Sequence, residues 1–266
     1  MKLVGWSGYD VELQDGWVVK SATMESQNAR LIVQRDRQHY WASLEPPRHV
    51  PRPSPIETIN GLSRFCYPYV VGTPLSKVVE FSDGSVDLSN VQYIVDWMSV
   101  QPSDYQPTDA LHEALSAKVI HNAQLCGLSD VVLERLLAGV ARLPDLTPTL
   151  HHGDFCLDNM ILDGRGNIWL IDFLDLTFPH FWFDISKLFQ DLDGVWSKIR
   201  GRTTPTNELQ VMRSNVMSWL SRHHPDYLPH HTFLSSFSYL RILPYCQDPT
   251  SRQLLTDKIQ QLIGVV

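Results

Sequence analysis

The chain has 266 residues, 43% of them apolar and 19% charged, and a formal net charge of -7. That length can bury a sizeable core, in one large domain or in two lobes around a cleft. No apolar run reaches the ~18 residues of a membrane span, and an acidic balance opposes nucleic-acid binding. Cys66, Cys126, Cys156 and Cys246 are scattered without a CxxC pair, and Met1–Trp6 lacks the apolar core of a signal peptide. Reduced thiols and a cytoplasmic location are therefore expected.

Residues 3–8 and 10–21 read as two short strands, with Val11, Leu13, Trp17 and Val19 near alternation and Gln14-Asp15-Gly16 as a turn. No dinucleotide fingerprint or Walker-type phosphate loop is present. Lys20 ends this small sheet, and a lysine there is ordinarily solvated. Residues 25–44 follow a helical period, with Ala29, Ile32, Val33, Asp36 and Tyr40 on one face. Asp36 needs a partner on so apolar a face, and Lys20 is the candidate. Glu25, at the first turn, is the rival partner for Lys20.

Residues 46–55 hold five prolines and read as extended. The apolar run Phe65–Val71 then meets the turn Gly72-Thr73-Pro74-Leu75, a plausible lobe connection. Pro68 has no N–H, so an adenine-facing backbone donor must come from a neighbour such as Tyr67, Tyr69 or Val70. Helices are predicted over 89–100, 108–126, 129–143, 206–222, 231–243 and 250–263. Thr108 and Ser129 serve as N-caps and Gly127 as a C-cap. His223-His224 and His230-His231 flank Pro225 and Pro229 and read as solvated loop.

The most informative stretch is His151-His152-Gly153-Asp154-Phe155-Cys156-Leu157-Asp158-Asn159, with Ile171-Asp172-Phe173 downstream. Residues 151–194 hold eight aspartates against Arg165 and Lys187, so six of the seven net negative charges lie here. Met160–Leu162 and Ile168–Ile171 are strand signals joined by the turn-forming loop Asp163–Asn167. An antiparallel hairpin sets the start of its first strand beside the end of its second. Asn159 and Asp172 are thereby brought together, near the loop that carries Asp154. Such oxygen donors suit Mg²⁺ and phosphoryl transfer. Asp172 and Asn159 would be the metal ligands, and Asp154 would orient an acceptor hydroxyl for in-line attack.

These residues resemble the aminoglycoside phosphotransferase and choline kinase-like family, whose pattern is HGD, an Asn five residues after that Asp, and a later Ile-Asp-aromatic strand end. The resemblance implies an α+β, protein-kinase-like two-lobe fold. A small β-rich N-lobe would span residues 1–71, and a large, mainly helical C-lobe residues 72–266. It implies a small-molecule kinase with ATP or GTP as co-substrate, Mg²⁺ as cofactor and a hydroxyl of a sugar, aminoglycoside or amino alcohol as acceptor. Residue by residue, Asp154 matches the catalytic Asp, Asn159 and Asp172 the metal pair, and Lys20 the phosphate-binding lysine. His152 would pack beneath the catalytic loop, and Asp184 would brace it from the next helix. The chain departs from the pattern at Cys156-Leu157-Asp158 and in lacking a mid-helix Glu to pair with Lys20. A catalytically degenerate nucleotide- or partner-binding protein is the alternative function.

Overall fold

Two tight hairpins build the front of the chain. Strand β1, Asp10–Gln14, turns through Asp15-Gly16 into β2, Trp17–Ser21. Strand β3, Glu57–Ile59, turns through Asn60-Gly61 into β4, Leu62–Pro68. Both central residues of each turn have positive φ, at 49° and 82° in the first and 52° and 80° in the second. Asn/Asp-Gly pairs favour this twist-matching two-residue turn. The antiparallel sheet has the order β1-β2-β4-β3. Helix α1, Asn28–Ser43, packs on β4. Val18 and Phe65 from the sheet and Leu31 from α1 share a core with Tyr9, Ala22 and Tyr67.

The computed structural model describes residues 8–44, 49–81, 86–103, 110–174, 178–202 and 206–265. The strand predicted over 3–8 lies almost wholly outside these, as do Thr108 and the first prolines of 46–55.

The chain divides into two compact units, the first comprising Met1–Lys77, His152–Asp154 and Asp158–Asp175. Besides the sheet just described, it holds a three-stranded antiparallel sheet of order β5-β6-β7, made of Gly72–Pro74, Met160–Asp163 and Ile168–Leu170. The acid-bearing hairpin thus groups with the N-terminal residues. Asp163 fixes the hairpin loop by accepting the N–H groups of Arg165 and Asn167, the Asn167 amide and the Trp169 indole at 2.8–3.0 Å. These donors hold its carboxyl below the usual range, the indole contributing most.

Helix α2, Leu75–Phe81, leads into the second unit, which is helical. It contains α3 (Ser89–Val100), α4 (Leu111–Cys126), α5 (Asp130–Ala141), α6 (Phe181–Leu192), α7 (Val195–Ile199), α8 (Thr206–His223), α9 (His231–Ile242) and α10 (Pro249–Ile263). Helix α9 is its hub, packed against α4, α5, α6 and α10. It approaches α5 so closely that a Cβ on Gly139 would lie 2.4 Å from the Phe233 ring. Helix α6 is almost entirely buried, and that burial takes in Asp184, Ser186, Gln190 and Asp191 as well as its apolar residues. The fold is therefore α+β, with an antiparallel front and a mainly helical remainder.

Candidate active site

Alternation along β2 sends Val18 and Lys20 inward and leaves Trp17 exposed. Lys20 sits opposite Phe65, with its ammonium 5.1 Å from the centroid of the Tyr9 ring, and is only 2% exposed. A charge so enclosed needs a partner. It has one in Asp172, whose Oδ1 lies 2.7 Å from Nζ.

Asp172 follows β7 in the left-handed region, at φ 62°. Aspartate tolerates that conformation better than most residues. The neighbouring backbone is pinned on both sides: Ile171 N–H donates to Asn159 O at 3.1 Å, and Leu174 N–H to His152 O at 3.0 Å. The hairpin register thus sets Asn159 beside Asp172, as the sequence predicted. It also makes the glycine of HGD obligatory. Gly153 has φ 88°, and a Cβ there would stand 2.0 Å from Leu174 O.

Asn159 is 7% exposed, and its Nδ2 donates to both Asp154 O and Asp154 Oδ2, each at 2.9 Å. With Nδ2 so committed, the amide presents Oδ1 as its acceptor. Asp158, one residue earlier, takes the Ser76 hydroxyl at 2.5 Å. Two carboxylates and one amide oxygen are hard donors that fit Mg²⁺. Among the described residues no group of three or more His, Cys, Asp or Glu could hold a metal. An ion here would complete its shell with phosphate and water.

His152 underlies this loop. Its ring is 4.3 Å from that of Phe173 and meets Trp41 edge-on at 6.3 Å, while Trp41 touches Phe173 at 5.2 Å. Burial lowers its pKa to about 4, outweighing the pull of Asp154 and Asp172. The imidazole is therefore neutral, and its Nδ1 accepts the Asp154 N–H at 3.3 Å. Tyr67, buried in the same unit, has its phenol held well above 10 by burial first and by Asp172 second.

Three expectations are corrected. Asp36 does not pair with Lys20: it is exposed and bonded to Arg35. The buried face of α1 is Leu31, Gln34, Arg37, Gln38 and Trp41, a largely polar stripe that an apolar period overlooks. Tyr69 does not offer a free backbone donor, because its N–H goes to Gly16 O at 2.9 Å. The paired histidines are not solvated loop. His224 Nε2 lies 2.8 Å from Asp96 Oδ1, and His231 is buried with Nδ1 3.0 Å from the Tyr227 hydroxyl.

The helical unit adds one residue that the sequence did not single out. Asp191, buried near the end of α6, accepts the Leu157 N–H at 2.6 Å. Leu157 is three residues after Asp154. Asp184, the brace expected from sequence, is fully buried in the first turn of α6. An acid within an amphipathic helix carries no spacing signal, so Asp191 could not be distinguished from a surface residue.

Lys20, Asp154, Asn159 and Asp172 are thus drawn together within one compact unit. The chain belongs to the phosphotransferase enzyme family, whose model matches residues 4–210. It is thus a member of a family of small-molecule kinases. No curated protein sequence matches it. Among solved structures it is similar to a thermostable variant of aminoglycoside phosphotransferase APH(4)-Ia in ternary complex with AMP-PNP and hygromycin B. That match has a TM-score of 0.69 and 13% identity and covers 100% of this chain and 93% of the other. APH(3'')-Id from Streptomyces rimosus, with ADP and streptomycin, matches at a TM-score of 0.59 and 19% identity over 88% of this chain and 94% of its own. Choline kinase from Cryptosporidium parvum matches at 0.57 and 10% over 99% and 86%. Likeness at these identities establishes the kinase-like fold. No helix among the described residues is long and apolar enough to cross a membrane.

Proposed function

We propose that the protein transfers the γ-phosphoryl group of ATP or GTP to a hydroxyl of a sugar, aminoglycoside or amino alcohol, with Mg²⁺. The observation that carries this reading is the convergence of Lys20, Asp154, Asn159 and Asp172 within one compact unit. In this reading Asn159 Oδ1 and the Asp172 carboxylate hold the metal, which when bound neutralises phosphate charge. Lys20, paired with Asp172 without nucleotide, shares its ammonium with the phosphates when nucleotide enters. Asp154, oriented by the Asn159 amide, accepts the acceptor's hydroxyl proton. The acceptor oxygen then bonds to the γ-phosphorus as the bond to the β–γ bridging oxygen breaks, and the nucleoside diphosphate leaves. With the Tyr69 N–H engaged and that of Tyr67 directed at Val18 in the sheet, Val70 would supply any backbone contact to the base. Residues 1–71 would serve nucleotide binding, and the helices of 72–266 would choose the acceptor.

The test is a screen of ATP and GTP consumption across aminoglycosides, choline-like amines, amino acids and sugars, paired with nucleotide titration. Turnover with one class supports the reading. Binding without any turnover favours the degenerate alternative, and absence of nucleotide binding defeats both.

A further inference from the structure

Tyr9, in the first compact unit, carries a buried hydroxyl that no group among the described residues bonds. The residue is only 6% exposed, and its ring shares the core with Val18, Leu31 and Phe65. The backbone on either side is fixed. The Gly8 carbonyl accepts Thr23 Oγ1 and Gln27 Nε2, each at 3.3 Å, and Asp10 pairs with Ser21 in the sheet. Two buried tyrosines of the helical unit show the usual arrangement. The Tyr227 hydroxyl lies 3.0 Å from His231 Nδ1, and that of Tyr239 donates to Asp193 Oδ2 at 3.2 Å. A hydroxyl withdrawn from water and left unpaired costs free energy, so one held this firmly calls for a partner from outside the chain.

The surroundings of the hydroxyl select the charge of that partner. The Lys20 ammonium lies 5.1 Å from the centroid of the Tyr9 ring. Burial pushes the phenol above its ordinary pKa more than Arg30 draws it down. The phenol is therefore protonated at neutral pH and available as a donor. Asp172 commits Oδ1 to the ammonium and makes no hydrogen bond to Tyr9. A donor set between an ammonium and a guanidinium suits the oxygens of an anion better than a cation or a neutral group. The polyphosphate of a nucleotide meets that description, because its many oxygens can engage the ammonium and the hydroxyl together.

We propose that the Tyr9 hydroxyl donates to a phosphate oxygen of the bound nucleotide and so positions the polyphosphate against Lys20. This role rests on the kinase reading above. The test is Tyr9→Phe in the full chain, which deletes the hydroxyl and keeps the ring. Without nucleotide, the urea midpoint of the variant should equal or exceed that of the wild type, because only an unpaired buried hydroxyl is lost. With Mg²⁺ and either AMP-PNP or GMP-PNP, whichever the wild type binds more tightly, the variant should bind about tenfold more weakly, as expected for a hydrogen bond to a charged acceptor. The matching nucleoside, read by its competition with that analogue, should treat the two proteins alike. Equal affinity for the analogue overturns the role of Tyr9, leaves water as the partner of its hydroxyl, and does not touch the kinase reading. An equal loss for nucleoside and analogue overturns the assignment to phosphate. A lower urea midpoint for the variant shows that the hydroxyl serves the fold and overturns the proposal as well. A wild type that binds neither analogue defeats the kinase reading itself, and the role of Tyr9 with it.

Discussion

The Lys20–Asp172 pair joins a fully enclosed cation to a carboxylate that is 40% exposed, and this asymmetry sets the expected cost of breaking it from either side. Lys20→Met removes the charge but keeps most of the buried stem. Asp172 is left facing water that can solvate it, so the loss should be about 1 kcal/mol. Asp172→Asn preserves size, an acceptor oxygen and tolerance of the left-handed backbone, but it strands the ammonium in the core. Removing one partner of a buried pair costs about 3–5 kcal/mol. The remaining amide oxygen brings the expectation down to about 2–3 kcal/mol. Equilibrium urea unfolding with unchanged slope checks this. The aspartate variant should have the lower midpoint, by a gap of about 1.5 kcal/mol. Equal midpoints, or the reverse order, would refute the view that Lys20 is held in the core by Asp172.

Asp154→Asn should cut turnover by about 10²–10⁴-fold while leaving Mg²⁺–nucleotide affinity nearly unchanged, as measured by single-turnover kinetics and titration. Asp172→Asn should weaken nucleotide binding in the presence of Mg²⁺ more than in its absence, which calorimetry with and without the metal will resolve. Gly153→Ala must move the Leu174 carbonyl and accept positive φ, so thermal unfolding should register a loss above about 2 kcal/mol. His152 and His231 are lowered to about 4 and His180 to about 3 by burial, all from 6.5. Unfolded chains then bind more protons than folded ones between those values and 6.5. Stability is therefore fully present above 6.5 and falls as pH drops toward 4, by at most about 1.4 kcal/mol per pH unit for each histidine. Urea midpoints measured between neutral pH and that limit should decline steadily; a flat profile would remove the buried neutral histidines from the account.

The hairpin was legible because its chemistry is local. Turn formers at Asp163–Asn167 and two apolar runs constrain the register, and the register alone sets Asn159 beside Asp172. Lys20 stood out only through the family resemblance, and its partner is Asp172 rather than the expected Asp36. The packing of helix α1 was not legible, since its buried side carries Gln34, Arg37 and Gln38, while Ile32 and Val33 face out. Apolar periodicity locates a face only when burial and apolarity coincide, and polar burial against a site breaks that coincidence. Strands β3 and β5 have three residues each, too short to carry an alternation, and β5 contains both Gly72 and Pro74. The histidine pairs looked polar in sequence. Aromatic neighbours such as Trp182, 5.5 Å from the His230 ring, and Trp219, 5.1 Å from that of His224, gave them packed surroundings.

The ion pair that holds Lys20 closes a loop of 152 residues, whereas Asn159 meets Asp154 across five. Contacts of such different range do not form together. The acids can gather early through short-range pairing, and the lysine can join only after most of the intervening chain has been ordered. Contacts of Lys20 are therefore expected to form late, and substitutions there should alter the unfolding rate far more than the folding rate.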